Sequence, residues 1–404
     1  MRPTRKVVQT LLSPDDAVDA RVDLIELRLD LYPEVDPARY GKPAIATVRR
    51  RRDGGGFEGG EGERARLFAK AAGAAYVDLE LDADPALAPP GPRRIVSFHD
   101  LEGVPEDLDA LFERCLLRGA DLVKIAATPA SAREAMRLLD LPIGGIGMGA
   151  YGQFTRVLAP LTYCAHAPLA PGMPTPGELL DIYRPRRLSS RPRLFGVAGD
   201  PIAHSKSPWL HNPAFERDGI DAVYLPFKVE DLADFWPSFL EHGGEGLSVT
   251  APLKMEAAAL ATQPSEEVLL CGAANTLLAD GRAFNTDYLA FLDLVPAGRG
   301  DALILGAGGS ARAALHALRL RGYRVRAYAR RPEQVDLMGA EFAPIDAKAR
   351  LVVNTLPGDP PDAPLLIDLR YGPAIRARPG TIGGLEFLKV QAAHQYRLFT
   401  GHEL

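Results

Sequence analysis

Lys124 stands inside an apolar run, ADLVKIAATP at residues 120–129. A desolvated ammonium is costly, so a lysine in such a run needs a reason. On a strand it shares one face with Leu122, while Val123 and Ile125 take the other. Facing inward, its pKa would fall through desolvation, giving a neutral amine able to attack a carbonyl carbon. The bland alternative is a lysine at a strand end, its stem covering apolar surface and its ammonium reaching water. Other charges at strand spacing bear on that choice. IELRLD sets Glu26, Arg28 and Asp30 at period two. That is either the wet face of an antiparallel sheet or, in a parallel barrel, a set that must pair internally or with a substrate. YVDLEL offers Glu80, and RIVSFHD carries His99 at the end of a strand. Alone that histidine reads as structural; beside an amine nucleophile its near-neutral pKa suits proton transfer.

A second set lies downstream. GDPIAHSKSPWLHN packs two serines, a lysine and two histidines around Pro201 and Pro208. Read alone it is a helix entry with Ser205 or Ser207 as N-cap. LSVTAPLKMEA brings Lys254 just after a strand, GAANTLL brings Asn275, and AFNTDYLAF brings Asp287. Together, ahead of a glycine-rich turn, they outline a polar pocket for a small molecule. The turn itself, GAGGSA, spans Gly306, Ala307, Gly308, Gly309, Ser310 and Ala311 directly after the apolar ALIL. Its G-x-G-x-x-A spacing permits a tight turn and the approach of a pyrophosphate to a helix N-terminus. The next strand ends YARR with no acidic residue at its tip. Arg330 and Arg331 there favour a 2′-phosphate, hence NADP, over the reading as plain surface arginines.

These residues need elements to hold them. KVVQTL, DLIELRL, AIATVR, YVDLEL, RIVSF, DLVKIA, IGGIGM and LTYCA read as eight β runs, most separated by segments able to form helices. Strands alternating with helices imply βα units and a parallel sheet. Eight units predict an N-terminal (β/α)8 barrel with its site at the C-terminal strand ends, in about 185 residues against the usual ~250. YRPRRLSSRPR, residues 183–193, reads as a linker. Beyond it, further α/β alternation leads into a strand, glycine turn, helix and strand, the front of a Rossmann-type domain. The predicted organisation is a barrel at 1–182, the linker at 183–193, a substrate subdomain at 194–299, a nucleotide subdomain at 300–375, and a helical return at 376–404.

Bulk properties narrow the class. With 404 residues, 47% hydrophobic and 25% charged, the chain is globular and long enough for two domains. A net charge of −5 implies no nucleic-acid surface, and the absence of a long apolar run implies no membrane span. The start, MRPTRKVVQTLL, runs into an acidic stretch unlike a targeting peptide. Cys115, Cys164 and Cys271 are scattered without metal spacing, so no metal site and a reducing, cytoplasmic setting are expected.

The set ELRLD, VDLEL, VSFHD, DLVKIA and MGAYGQFTRV resembles type I 3-dehydroquinate dehydratase over most of residues 5–182. The resemblance implies a Schiff base on Lys124, His99 as acid and base, and Glu80 orienting the histidine. It also implies that Glu26, Arg28, Arg49 and Arg156 meet the substrate's hydroxyls and carboxylate. The family's lid departs here, with Leu169 and Met173 where serine and glutamine are usual. Downstream, HSKSP, SVTAPLK, GAANT, NTD, GAGG, NTLP and FLKVQAAHQYRLFTG resemble shikimate dehydrogenase over 194–402. By that resemblance Ser205, Ser207, Thr250, Asn275, Asp287, Tyr371 and Gln391 bind shikimate, and Lys254 with Asp287 is the catalytic pair. Ser248 and Ala329 depart from the family, where asparagine is usual or frequent. The expected partners are small carboxylate substrates and NADP. Two rivals stand beside this reading: a quinate dehydrogenase fused to a degraded barrel, and a metabolite-sensing regulator that kept the fold and lost the chemistry.

Overall fold

The computed structural model describes residues 5–167, 172–371 and 380–404. Contacts divide the chain into two compact units, residues 1–192 with 221–229, and residues 193–220 with 230–404.

The first unit is built on eight parallel strands: β1 (Lys6–Leu11), β2 (Leu24–Arg28), β3 (Ala44–Thr47), β4 (Tyr76–Glu80), β5 (Arg93–Asp100), β6 (Leu122–Ala127), β7 (Ile146–Gly147) and β8 (Leu161–Cys164). All eight predicted β runs are strands. The order β7-β6-β5-β4-β3-β2-β1-β8 is that of a (β/α)8 barrel. β2 and β4 are buried at every position, as strands covered on both faces must be. Val8, Leu24, Ile45, Tyr76, Ile95, Ala126, Ile146 and Leu161, one residue from each strand, meet in a single core, so the sheet curls onto itself. The seam between β7 and β8 carries no ladder among the described residues. β7 is only two residues long and follows Gly144 and Gly145, too little regular strand to pair on both edges.

The segment read as a linker is fastened to this unit. Arg5 donates to the carbonyls of Leu188 and Ser189 at 2.9 and 2.7 Å, Arg186 pairs with Asp23 at 2.8 Å, and Pro185 is buried.

In the second unit, Arg193–Gly199 and Gly244–Val249 pair in parallel, and Thr276–Leu278 joins Gly244–Val249 antiparallel. A second, all-parallel sheet runs in the order Glu341–Phe342, Arg324–Tyr328, Asp301–Leu305, Leu351–Asn354, Leu365–Asp368 and Thr381–Gly383. This is the 3-2-1-4-5-6 order of a doubly wound nucleotide fold, with the glycine turn at the strand whose neighbours run in opposite directions along the chain. The helix Gly384–Thr400 then returns Gln391 and Gln395 to the substrate pocket. No helix among the described residues is long and apolar enough to cross a membrane.

Candidate active sites

Lys124 lies mid-strand on β6 and points into the barrel, 9% exposed. Its Nζ is 3.0 Å from Asp78 Oδ2 on β4, 3.5 Å from Glu26 Oε1 on β2, and 4.2 Å from the centre of the Tyr163 ring on β8. These four residues come from the four even-numbered strands, the alternation by which barrel interiors are layered. Residues of odd strands brace the two carboxylates: Thr10 and Thr47 donate to Glu26 at 2.7 and 3.0 Å, and Ser97 donates to Asp78 at 2.5 Å. The apolar isolation expected for the amine is therefore corrected. Two carboxylates and a π face surround its Nζ, groups that can hold the nitrogen in place.

His99, near the end of β5, lines the same cavity of about 220 Å³ with Glu26, Arg28, Arg49 and Arg156. Its pKa is held well below the usual histidine range by burial, then by the positive charges of Arg49 and Lys124. It is a neutral imidazole at pH 7, the form that accepts a proton. Asp78 is driven the other way from its burial: desolvation raises it, but Arg49 and Lys124 outweigh that and keep it well below the carboxylate range. Arg156 sits in the turn Thr155–Leu158, 5% exposed, with no carboxylate partner among the described residues and its Nε without a hydrogen bond. Burial alone lowers its pKa to about 10. A buried guanidinium left unpaired is a site that wants an anion. Arg28, by contrast, is engaged by Asp30 at 2.6 Å.

Glu80 does not meet the role given to it. Its Oε1 is 3.0 Å from Arg49 Nη1, its Oε2 accepts from Arg64, and Nδ1 of His99 is buried without a hydrogen-bond partner. Two guanidiniums hold a carboxylate more strongly than a neutral imidazole does. Besides Glu26, a second carboxylate lines the cavity with His99 and Lys124: Asp53, which follows β3 in the glycine-rich loop and which the sequence reading passed over. Asp78 was passed over too, although its period-two spacing from Glu80 in YVDLEL placed both on one face. Met173 lines the cavity, and Leu169 lies outside the described residues.

In the second unit the strand Gly244–Val249 delivers Thr250 and then Lys254, the first residue of a helix. Asn285 caps the helix Thr286–Leu294 by accepting from the Tyr288 N–H at 3.1 Å, which sets Asp287 in the first turn. Lys254 Nζ donates to Asp287 Oδ2 at 2.5 Å and to Ser310 Oγ at 2.8 Å, and Ser310 Oγ donates to the same Asp287 oxygen at 2.8 Å. Asn275 Nδ2 holds the other Asp287 oxygen at 2.9 Å. Gln391 donates to Thr286 Oγ1 at 2.9 Å. Ser205, Ser207, Thr250, Lys254, Asn275, Asp287, Tyr371 and Gln391 all line one cavity of about 300 Å³. Neither serine is the helix N-cap; that position is Lys206, and Ser205 instead accepts from the Ser207 N–H at 3.3 Å. Ser248 lines the pocket and donates to Gln395 at 3.0 Å, a glutamine the sequence reading did not single out.

The glycine turn fits a dinucleotide. Gly306 has φ +119°, and a Cβ there would strike Thr355 Oγ1 at 2.1 Å. At Gly308, the N-cap of Gly309–Leu320, a Cβ would meet nothing within 4 Å, leaving the helix N-terminus open for a phosphate. Arg330 and Arg331 are exposed just past Arg324–Tyr328. Ser310, expected at the cofactor, spends its hydroxyl on the Lys254–Asp287 pair.

Residues 5–189 match the family model of type I 3-dehydroquinase, and residues 197–277 match that of the shikimate dehydrogenase substrate-binding domain. The chain belongs to the type I 3-dehydroquinases in its first half and to the shikimate dehydrogenases in its second. It is similar to the chloroplastic bifunctional 3-dehydroquinate dehydratase/shikimate dehydrogenase of Arabidopsis thaliana, at 28% identity over 97% of this chain and 80% of that one. It is 31% identical to the pentafunctional AROM polypeptide of Malassezia globosa over 98% of this chain, which spans 30% of that polypeptide. Among solved structures, shikimate 5-dehydrogenase from Thermus thermophilus in complex with shikimate is 32% identical, covering 52% of this chain and 93% of that one, with a TM-score of 0.47.

Proposed function

We propose that the first unit converts 3-dehydroquinate to 3-dehydroshikimate through a Schiff base on Lys124, and that the second reduces 3-dehydroshikimate to shikimate with NADPH. The observation that carries the first half is one cavity holding Lys124, neutral His99 and unpaired Arg156. Arg156 takes the substrate carboxylate, with Arg28, Arg49 and Glu26 at the hydroxyl side. Lys124, its proton passed on, adds to the ketone and loses water to form an iminium. The iminium draws electrons from the adjacent carbon, so His99 can remove the proton there. The same histidine returns it to the departing hydroxyl. Hydrolysis frees the amine. Asp53, at the mouth with His99, is the carboxylate placed to steady the histidine as it becomes charged.

For the second half, Asp287 and Asn275 fix Lys254 against the substrate oxygen, and Ser205, Ser207, Thr250, Tyr371 and Gln391 bind the ring hydroxyls and carboxylate. The cofactor supplies a hydride to the keto carbon when bound. Lys254 stabilises the developing alkoxide and gives it a proton. Arg330 and Arg331 select the 2′-phosphate, and Gly306 to Ala311 receive the pyrophosphate. The proposed division keeps a substrate part at 194–299, a nucleotide part at 300–375 and the helical return at 376–404. A cytoplasmic setting belongs to the same proposal, supported by three buried free cysteines.

Borohydride treatment in the presence of 3-dehydroquinate, followed by peptide mass mapping, tests the first half. The reduced adduct is expected on Lys124; an adduct elsewhere, or none with activity retained, rejects the Schiff base. NADPH consumption with 3-dehydroshikimate tests the second.

A further inference from the structure

Two buried residues have no place in that mechanism. Arg64, on the helix Glu61–Lys70 outside the sheet, is 0% exposed, and Glu80 is 4% exposed; neither lines the cavity of Lys124. We infer that Arg64 and Glu80 are positioning residues for the nucleophilic amine, acting through a buried ladder of alternating charges that runs Arg64, Glu80, Arg49, Asp78, Lys124. The inference rests on the dehydratase reading of this cavity.

Each rung is a contact. Arg64 Nη2 donates to Glu80 Oε2, and the same guanidinium holds the Val48 carbonyl at 3.0 and 3.2 Å, which anchors it at the end of β3. Glu80 Oε1 is 3.0 Å from Arg49 Nη1, Arg49 Nη2 is 2.7 Å from Asp78 Oδ2, and that oxygen is 3.0 Å from Lys124 Nζ. Ser97 braces the middle, accepting from Arg49 at 2.9 Å and donating to Asp78 at 2.5 Å. Along the ladder the cations Arg64, Arg49 and Lys124 face the anions Glu80, Asp78 and Glu26, with Arg50 Nε 3.9 Å from Glu80 and Glu61 3.8 Å from Arg64 at the outer end. A buried charge is tolerable only while its neighbours balance it. Removing an end of the ladder therefore moves the balance at the amine.

The groups facing Lys124 are Glu26 from β2, Asp78 from β4, His99 from β5 and Tyr163 from β8, with Arg28, Arg49, Asp53 and Arg156 in the same cavity. None of these residues is itself replaced in a variant at Arg64 or Glu80. Loss of Arg64 leaves Glu80 to draw on Arg49, which loosens Arg49 from Asp78 and frees that carboxylate to hold the ammonium. The amine then deprotonates at higher pH. Loss of the Glu80 charge leaves Arg49 to lean on Asp78 alone and Arg64 on Glu61 at 3.8 Å, so Asp78 is drawn from the ammonium and the amine deprotonates at lower pH. The two changes have opposite sign and cancel when combined.

Full-length Arg64→Met, Glu80→Gln and their double variant test this, with Arg64→Lys as the conservative control. The readouts are the pH dependence of dehydration kcat and the pH dependence of Lys124 acylation by acetic anhydride, mapped by mass spectrometry. Expected are shifts of the alkaline-rising limb by about half a pH unit or more, about threefold in rate on the limb. The shift is upward in Arg64→Met, downward in Glu80→Gln, near zero in the double variant, and near zero in Arg64→Lys. Shifts of one sign in both single variants, or reduced kcat with unmoved limbs, overturn the inference and leave the pair a structural one. If Arg64→Met fails to fold, the sign in Glu80→Gln and the unmoved limb in Arg64→Lys decide. Opposite acylation shifts in a chain that does not dehydrate 3-dehydroquinate would uphold the ladder and reject the functional reading instead.

Discussion

Each unit centres on a lysine held by an aspartate, yet the two pairs are surrounded differently. Lys124 meets Asp78 at 3.0 Å inside a network of arginines and carboxylates, whereas Lys254 meets Asp287 at 2.5 Å among neutral Asn275 and Ser310. In the proposed mechanism the first lysine makes a covalent bond through its free amine, whereas the second serves an alkoxide as a proton donor. Charged neighbours on the first pair provide groups whose balance can be tipped towards a free amine. Neutral amide and hydroxyl partners on the second hold the ion pair in one geometry without competing for its charge.

The comparison breaks first at the lysines. Lys124→Ala is expected to lower dehydration by more than about 10³-fold with reduction intact, and Lys254→Ala to do the reverse with NADPH binding retained. Separate assays on each variant read this, and loss of both activities in either would show that the sites are not independent. The aspartates come next. Asp78→Asn leaves Arg49 and Lys124 short of a buried counter-charge and is expected to cost about 3–5 kcal/mol of stability. Asp287→Asn keeps a polar partner for Ser310 and is expected to cost about 1–2 kcal/mol less in denaturant unfolding.

A pH series sharpens the contrast further. Burial lowers His99 in the barrel, helped by Arg49 and Lys124, and lowers His211 in the second unit to about 3 by burial alone. Below about pH 6.5 the unfolded chain then binds protons that the folded chain does not. Stability is present above that pH and falls below it, by up to about 1.4 kcal/mol per pH unit for each histidine. Urea unfolding at pH 7 and 5.5 measures the slope, and His99→Asn should remove the barrel's share while leaving that of His211. The smallest effect lies at the cofactor. Arg330→Ala is expected to raise the KM for NADPH about tenfold, near 1.4 kcal/mol, with kcat and the KM for NADH little changed. An equal effect on NADH would remove Arg330 from 2′-phosphate recognition.

Much of the fold and of both pockets is legible in the amino-acid sequence. The eight β runs became the eight strands of the curled sheet because strands covered on both faces read as nearly unbroken apolar segments. Lys124, His99, Arg49 and Arg156 reached one cavity because they lie at or beyond strand interiors in a fold that gathers strand ends. What stayed hidden was pairing. Period-two spacing put Asp78 and Glu80 on one face, but only register decides that Asp78 meets the lysine while Glu80 turns to Arg49 and Arg64. Asp53 carried no periodic signal because it sits in a glycine-rich turn. Ser310 was read from a nucleotide motif, and a local motif cannot show that its hydroxyl faces the Lys254–Asp287 pair across a chain separation of dozens of residues.

Gly309 gives that last contact a mechanical meaning. A Cβ at this position would come within 2.7 Å of the Lys254 Cβ. The hinge of the nucleotide turn and the stem of the proton donor therefore share one van der Waals surface with no slack. Any larger side chain there would push the lysine off its aspartate, so under the proposed function a change in the turn meant for the coenzyme would also detune the group proposed as the acid.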